Sequence, residues 1–170
     1  MKKRVLVASG QSAIDEAVKK FEDYEVVDCI EYRRDVVEAV SFHQPDILLL
    51  GEGLSGQESL MEIMLYLVKE YPNLRIIYLA GYVDMRDEAK VNALGVLVMA
   101  GIYDIVHEAK ITVQALKNIL DVPKTAEQMS YLTRRIRESS SKNRSVIEFE
   151  IPEEQEEEEN VYKNLFVVSS

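Results

Sequence analysis

Twelve residues, Pro45 to Gly56 (PDILLLGEGLSG), hold the strongest candidate position for chemistry in this chain. Ile47 to Leu50 are a continuous apolar run closed by Pro45 and Gly51, the length and flanking of a strand buried on both faces. In open α/β sheets reactive groups gather beyond the carboxyl ends of such strands, so Gly51, Glu52 and Gly53 decide whether this segment acts on anything. Glu52 is the ionisable side chain there, and alternation on an extended chain should turn it away from the side that position 51 faces. Asp46 lies at the opposite end of the run, where an exposed turn carboxylate is expected.

The remaining residues with chemical potential are scattered. His43 and His107 are far apart, without a ligand-spaced partner near either, which suits solvated or capping histidines. Ser9 and Ser12 have no histidine in motif context, so a nucleophilic serine is unsupported. Gly10 alone does not make a phosphate loop, which would need a glycine-rich turn with Lys and Ser or Thr. The single cysteine, Cys29, excludes an internal disulfide and a cysteine-based zinc site. Its apolar surroundings (Val26, Val27, Ile30) predict a buried thiol in a reducing cytosol.

Alternating strand and helix signals surround this stretch. Arg4 to Ala8 reads as a first strand, followed by a helix with Ser12 as N-cap and Ile14, Ala17, Val18 and Phe21 facing inward. Glu25 to Tyr32 reads as a second strand, and Arg33 to His43 as a helix stopped by Pro45. Gln57 to Tyr71 carries an apolar stripe of Leu60, Ile63, Met64, Leu67, Val68 and Tyr71. Leu74 to Ala80 reads as a fourth strand. A helix over Asp84 to Ala100 follows, with Gly101 at its C-terminal cap. Ile102 to Val106 and Thr112 to Asp121 complete a fifth strand and helix, and Pro123 opens a further helix to Arg137. Five alternations with short connections predict an α/β fold, a parallel sheet covered by helices on both faces.

The 170 residues carry a formal charge of −10, which argues against a general nucleic-acid binder. Much of that charge is a tail: residues 146–160 hold eight glutamates and no Lys or Arg. Like charges at that density resist compaction, so 138–160 reads as a polar and acidic linker. The final YKNLFVVSS turns apolar again, as the first strand of a following domain cut short, or as a strand folding back on the first sheet. No apolar stretch reaches the ~18 residues of a membrane span, and the basic start has too short an apolar run for a secretory signal. The expected location is cytoplasmic, with polar or membrane association through partners as the alternative.

With the order established, the chain resembles the receiver domain of bacterial response regulators over residues 1–122, a flavodoxin-like five-stranded fold. PDILLLGEGLSG is similar to the receiver segment P-D-x-x-x-x-D-x-x-x-P-G, RIIYLAGY (75–82) resembles the fourth strand, and AGIYDIV (100–106) resembles the fifth. The resemblance implies Mg²⁺-assisted phosphoryl transfer from an acidic pair, an aspartate nucleophile, a hydroxyl and a lysine. This chain departs at every position: Ala8 and Ser9 stand at the acidic pair, Gly51 at the nucleophile, Ala80 at the hydroxyl and Glu108 at the lysine. Lys110 would serve only if the last connection slipped by two residues. The expectation is a pseudo-receiver with no catalytic, cofactor-binding or metal-binding residues and no cofactor, hence no enzyme. Residual atypical response to a phosphodonor or Mg²⁺ is the alternative.

Two surfaces then carry the expected function, an interaction, dimerisation or localisation module. The fourth helix is apolar nearly all round through ALGVLVMA (93–100), so its outer side should be covered either as core or by a partner. On the second reading it joins a homodimer face of Lys90, Leu97, Tyr103, Asp104, Gln114 and Lys117. Arg134, Arg135, Arg137, Lys142 and Arg144 form a basic stretch, with Met129, Leu132 and Ile136 at helical spacing. A solvated face, or pairing with the acidic tail, is favoured there over a DNA-binding adaptor. VYKNLFVVSS (161–170) is similar to the strand ahead of the phosphate loop in ParA/MinD-like ATPases. A degenerate receiver before such an ATPase resembles the CpaE/TadZ group of pilus assembly and secretion. That implies an ATPase domain in a longer parent protein and possession of no phosphate loop in this chain.

Overall fold

The computed structural model describes residues 1–134 and 136. Five parallel strands, β1 (Lys3–Ala8), β2 (Tyr24–Cys29), β3 (Ile47–Gly51), β4 (Arg75–Leu79) and β5 (Asp104–Val106), lie in the order β2-β1-β3-β4-β5. That is the flavodoxin-like doubly wound order, whose switch point falls between β1 and β3. Ala8 pairs with Leu50 and Gly51 with Leu79, so these strands reach the same edge of the sheet together.

Strand alternation divides the apolar residues between two cores. Leu6, Ala8, Leu48, Leu50, Ile76 and Tyr78 face α2 (Val36–His43), α3 (Leu60–Glu70) and α4 (Glu88–Met99). Val5, Val7, Ile47, Leu49, Ile77 and Leu79 face α1 (Ser12–Lys19) and α5 (Val113–Asp121). Ile47 to Leu50 are therefore apolar without interruption because both faces of β3 are covered, each side chain contributing about 1.5–3 kcal/mol on burial. Helix starts follow local chemistry. Ser59, Asp87 and Thr112 accept from the amides of Glu62, Lys90 and Ala115, caps worth ~1 kcal/mol each.

Several boundaries differ from the sequence reading. Ser12 is the first residue of α1 and not its cap; the cap position is Gln11, and the Ser9 hydroxyl accepts from its amide. α4 begins at Glu88 because the Asp84 carboxylate turns back to the Arg86 amide and guanidinium. Strand β2 ends at Cys29, and Tyr32 makes an isolated bridge to Ser55 ahead of a 3-10 turn, Arg33–Asp35. Cys29 is half-buried, not fully so; burial, followed by the Asp15 carboxylate, pushes its thiol up.

The largest difference follows α5. The helix expected over 123–137 is not one α-helix in its described part, residues 123–134. Val122 is extended, and Glu127–Leu132 is a 3-10 helix. Thr125 and Gln128 exchange bonds from each amide to the other side chain, a capping box that starts the helix beyond Pro123. Met129 and Leu132 are buried in the same core as Val91, Leu94, Leu97 and Val98 of α4. Packing thus extends the first unit from Met1 to Thr133, past the expected end at 122. The linker, the tail, Arg135, Arg137, Lys142 and Arg144 lie outside the described residues. No described helix is long and apolar enough to cross a membrane.

Candidate functional site

At the carboxyl edge of the sheet, the loop after β1 and the loop after β3 touch backbone to backbone. A Cβ on Gly51 would lie 2.2 Å from the Ser9 carbonyl oxygen. A Cβ on Gly10, which sits at φ +78°, would lie 2.5 Å from both the Gly53 carbonyl carbon and the Leu54 amide nitrogen. Real Cβ atoms do not approach so closely. Each loop occupies the volume that a side chain on the other would need. Ser9 is buried, and its hydroxyl donates to Asp15 Oδ1 at 2.6 Å while accepting from the Gln11 amide. That serine is fully used in setting the start of α1.

The β3–α3 loop is fixed from its other side by Arg33. Its Nε donates to the Leu54 carbonyl (2.8 Å), Nη1 to the Glu58 carbonyl (2.7 Å) and Nη2 to the Glu52 carbonyl (2.8 Å). The Arg33 amide also donates to the Ser55 carbonyl at 2.8 Å. Glu52 points as alternation predicts: its carboxylate accepts from the Tyr78 hydroxyl, on the α3 and α4 side of the sheet, and lies 3.5 Å from Arg33 Nη2. Burial, and then the Glu52 carboxylate, push the Tyr78 hydroxyl well above its ordinary value. Arg33 and Tyr78 carry no motif and were not singled out by sequence reasoning; only the fold shows what they hold.

Of the degenerate positions, Ala8 and Gly51 are buried and Ala80 is half-buried, its amide donating to Val106 O at 2.8 Å. Glu108 and Lys110 are exposed along an open cleft of about 400 Å³ between α1 and α5, whose floor includes Leu79, Val106 and Leu116. Asp46 is an exposed strand-start residue whose carboxylate accepts from the Arg4 amide at 2.8 Å. His43 meets Asp28 at 3.2 Å and His107 meets the Tyr131 hydroxyl at 2.6 Å, in separate places. Among the described residues no group of three or more His, Cys, Asp or Glu is placed to hold a metal.

The proposed dimer face needs correction at two residues. Leu97 is 1% exposed, within the core between α4 and its neighbours, and cannot contact a partner. Asp104 is 5% exposed. It binds Arg75 in a fork (2.9 and 3.1 Å) and accepts from the Lys124 amide at 2.9 Å. Arg75 also donates to the Ile119 and Leu120 carbonyls, joining β4, β5 and the end of α5. Lys90 and Gln114 are exposed and Tyr103 half-buried. Lys117 bridges Asp121 (2.7 Å) and Asp23 (3.4 Å), which raises its pKa, chiefly through the Asp121 bond. The six residues do not form one outward patch.

No protein-family model and no curated protein matches the sequence. Solved structures do match. The isolated receiver domain of RcsB from Salmonella enterica serovar Typhimurium, determined with the phosphomimetic BeF3−, is similar at TM-score 0.60 and 15% identity, over 76% of this chain and 99% of that one. The receiver domain of the response regulator NarL from Mycobacterium tuberculosis is similar at TM-score 0.56 and 19% identity, over 71% and 94%. A structure of two RcsB dimers bound to two parallel DNAs is similar at TM-score 0.60 and 17% identity, over 79% and 69%. At such identities the likeness is one of fold. The fold is the receiver fold of response regulators.

Proposed function

We propose that this chain is a receiver-fold interaction module that does not carry out phosphoryl transfer. The observation that carries this reading is the contact of the β1–α1 and β3–α3 loops through Gly10 and Gly51. The contact supports it because it denies position 51, where the resemblance puts the nucleophile, the space for any side chain. Glu52 offers no replacement, since Tyr78 and Arg33 engage it on the other side of the sheet. The function then rests on surfaces, with a protein as partner. RcsB, whose receiver has the same fold, is dimeric in its DNA-bound structure. A formal charge of −10 favours protein over nucleic acid.

The finer reading is a regulatory module of a ParA/MinD-like ATPase of the CpaE/TadZ kind, serving pilus assembly or secretion. It is supported by the resemblance of residues 161–170 to the strand ahead of a phosphate loop. A G-x-G-K-[ST]-like sequence encoded beyond Ser170 is the expected companion, and a stop codon there removes this part of the proposal. The non-catalytic role is tested by adding Mg²⁺ with beryllofluoride, or with acetyl phosphate, to ¹⁵N-labelled full chain. Unchanged amide resonances and unchanged intact mass are expected. Saturable shifts clustered at Gly51, Ala80 and Glu108, or a phosphoryl adduct, overturn it.

A further inference from the structure

The sheet face toward α1 and α5 is covered unevenly. Val5, Val7, Ile47, Leu49 and Ile77 on that face are at most 1% exposed. Leu79, Val106 and Ile14 belong to the same core, yet each keeps 8%. They are where the cleft of about 400 Å³ reaches the core. The reason lies in the residues around its mouth. Ala13 and Ala17 on α1, and Gly53, Gly81 and Ala109 in the loops, line the cleft with little or no side chain. Among the described residues a Cβ on Gly81 would meet nothing within 4 Å, and one on Gly53 only the Ser9 carbonyl oxygen at 3.9 Å. An apolar floor is thus open to a small molecule, in a space of the size that ligand sites have, about 300–1,000 Å³.

The rim narrows the chemistry of the occupant. Glu108 and Lys110, of opposite charge, both line the cleft and are exposed. Neither makes a hydrogen bond or ion pair among the described residues. Glu52 also borders the cleft, but its carboxylate is engaged by Tyr78 and Arg33 on the other side of the sheet. One carboxylate and one ammonium therefore remain for a ligand. A lone anion or a lone cation would be attracted by one and repelled by the other, whereas a ligand carrying both charges satisfies both. Thr112 accepts from the Ala115 amide and keeps its hydroxyl proton to donate, and Gln11 adds a side-chain amide from the start of α1.

We infer that this cleft binds a small apolar α-amino acid, with its side chain on Leu79, Val106 and Leu116, its ammonium at Glu108 and its carboxylate at Lys110. Burial of the apolar side chain supplies affinity, and the paired charges select the zwitterion. Bound there, the ligand ties the loop that leads into α5 to the start of α1. The site needs neither Mg²⁺ nor a phosphodonor. It goes beyond the interaction role proposed above, and its failure would leave that role standing.

The test titrates ¹⁵N-labelled full chain in Mg²⁺-free buffer with L-leucine and L-phenylalanine. Glycine, isoamylamine and isocaproate are the controls: the first lacks the apolar side chain, the second the carboxylate and the third the ammonium. Saturable amide shifts at Gly53, Gly81, Val106 and residues 108–116 are expected from at least one of the two amino acids, with affinity about tenfold or more above every control. Glu108→Gln and Lys110→Met should each weaken binding about tenfold, the loss of one charge-assisted contact. Ala13→Leu, which fills the cleft, should abolish it, while all three variants keep a native amide spectrum away from the cleft. No saturable shift from either amino acid at millimolar concentration overturns the proposal. Saturation centred on other residues overturns it as well. Equal affinity for isoamylamine or isocaproate, or unchanged affinity in both charge variants, overturns recognition of the zwitterion.

Discussion

A side chain at position 51 would bring its Cβ to 2.2 Å from the Ser9 carbonyl oxygen, whereas at position 53 the same atom would lie 3.9 Å from it. Gly51 is therefore required by a neighbour's backbone, not by its own torsion angles. Gly51→Asp is expected to cost at least ~1–3 kcal/mol, the range for overpacking, and to remain unphosphorylated by acetyl phosphate with Mg²⁺. Gly53→Ala should be neutral or stabilise by up to about 1 kcal/mol through the unfolded chain. Urea denaturation and intact mass read both; a stable, phosphorylated Gly51→Asp protein would show that the loops are free to part. Arg33→Ala leaves three loop carbonyls without their charged donor. A loss of about 1.5–3 kcal/mol is expected, with faster amide exchange confined to 52–58. Tyr78 adds a pH signature. Its folded pKa is raised above the ordinary 10.0, so its contribution is complete below pH 10 and declines as pH rises further. Tyr78→Phe should lower stability by about 1 kcal/mol at pH 7 yet flatten the fall in Tm above pH 10. Tyr24, raised in the same direction by burial and then Asp121, retains part of that slope. A slope unchanged by Tyr78→Phe would assign the alkaline loss elsewhere.

Among the elements, the five strands were legible because a doubly covered sheet demands uninterrupted apolar runs such as ILLL (47–50) and IIYL (76–79). The emptiness of the receiver positions was legible too, since it depends only on residue type. What the sequence could not carry was contact between distant segments: Arg33 with the 52–58 loop, or Arg75 with Asp104 and the end of α5. For the segment after α5 a signal existed. Thr125 and Gln128 have capping-box spacing, but helical spacing of Met129, Leu132 and Ile136 suggested a longer helix starting at Pro123. The apolar circumference of α4 was resolved in favour of cover from within the chain, which is why Leu97 lies in the core. Leu97→Glu is thus expected to give misfolded or insoluble protein, not a folded monomer; a soluble variant with a native amide spectrum would contradict its burial. Arg75→Ala and Asp104→Ala should each cost ~3–5 kcal/mol, since each strands a mostly buried charge. Their double variant should recover part of that loss, by ~0.5–3 kcal/mol of coupling; strict additivity in urea melts would mean the pair does not act as one joint.

At the scale of the molecule, the β1–α1 and β3–α3 loops meet backbone to backbone at the carboxyl edge, while residues 123–133 lie beside β5 and cover α4. The acidic balance of the whole chain sets a further expectation: binding to duplex DNA should be undetectable at physiological salt, where a basic-patch binder would show affinity falling steeply with ionic strength. Fluorescence anisotropy on labelled duplex measures it, and salt-sensitive saturable binding would revive the adaptor role. The interlocked glycines also bear on history. Placing a carboxylate at 51 first collides with Ser9, and enlarging Gly10 first collides with Gly53 and Leu54. For a lineage carrying this arrangement, a side chain at 51 needs the backbone of the β1–α1 loop to move as well as the codon to change. Drift in the surrounding surfaces meets no such barrier.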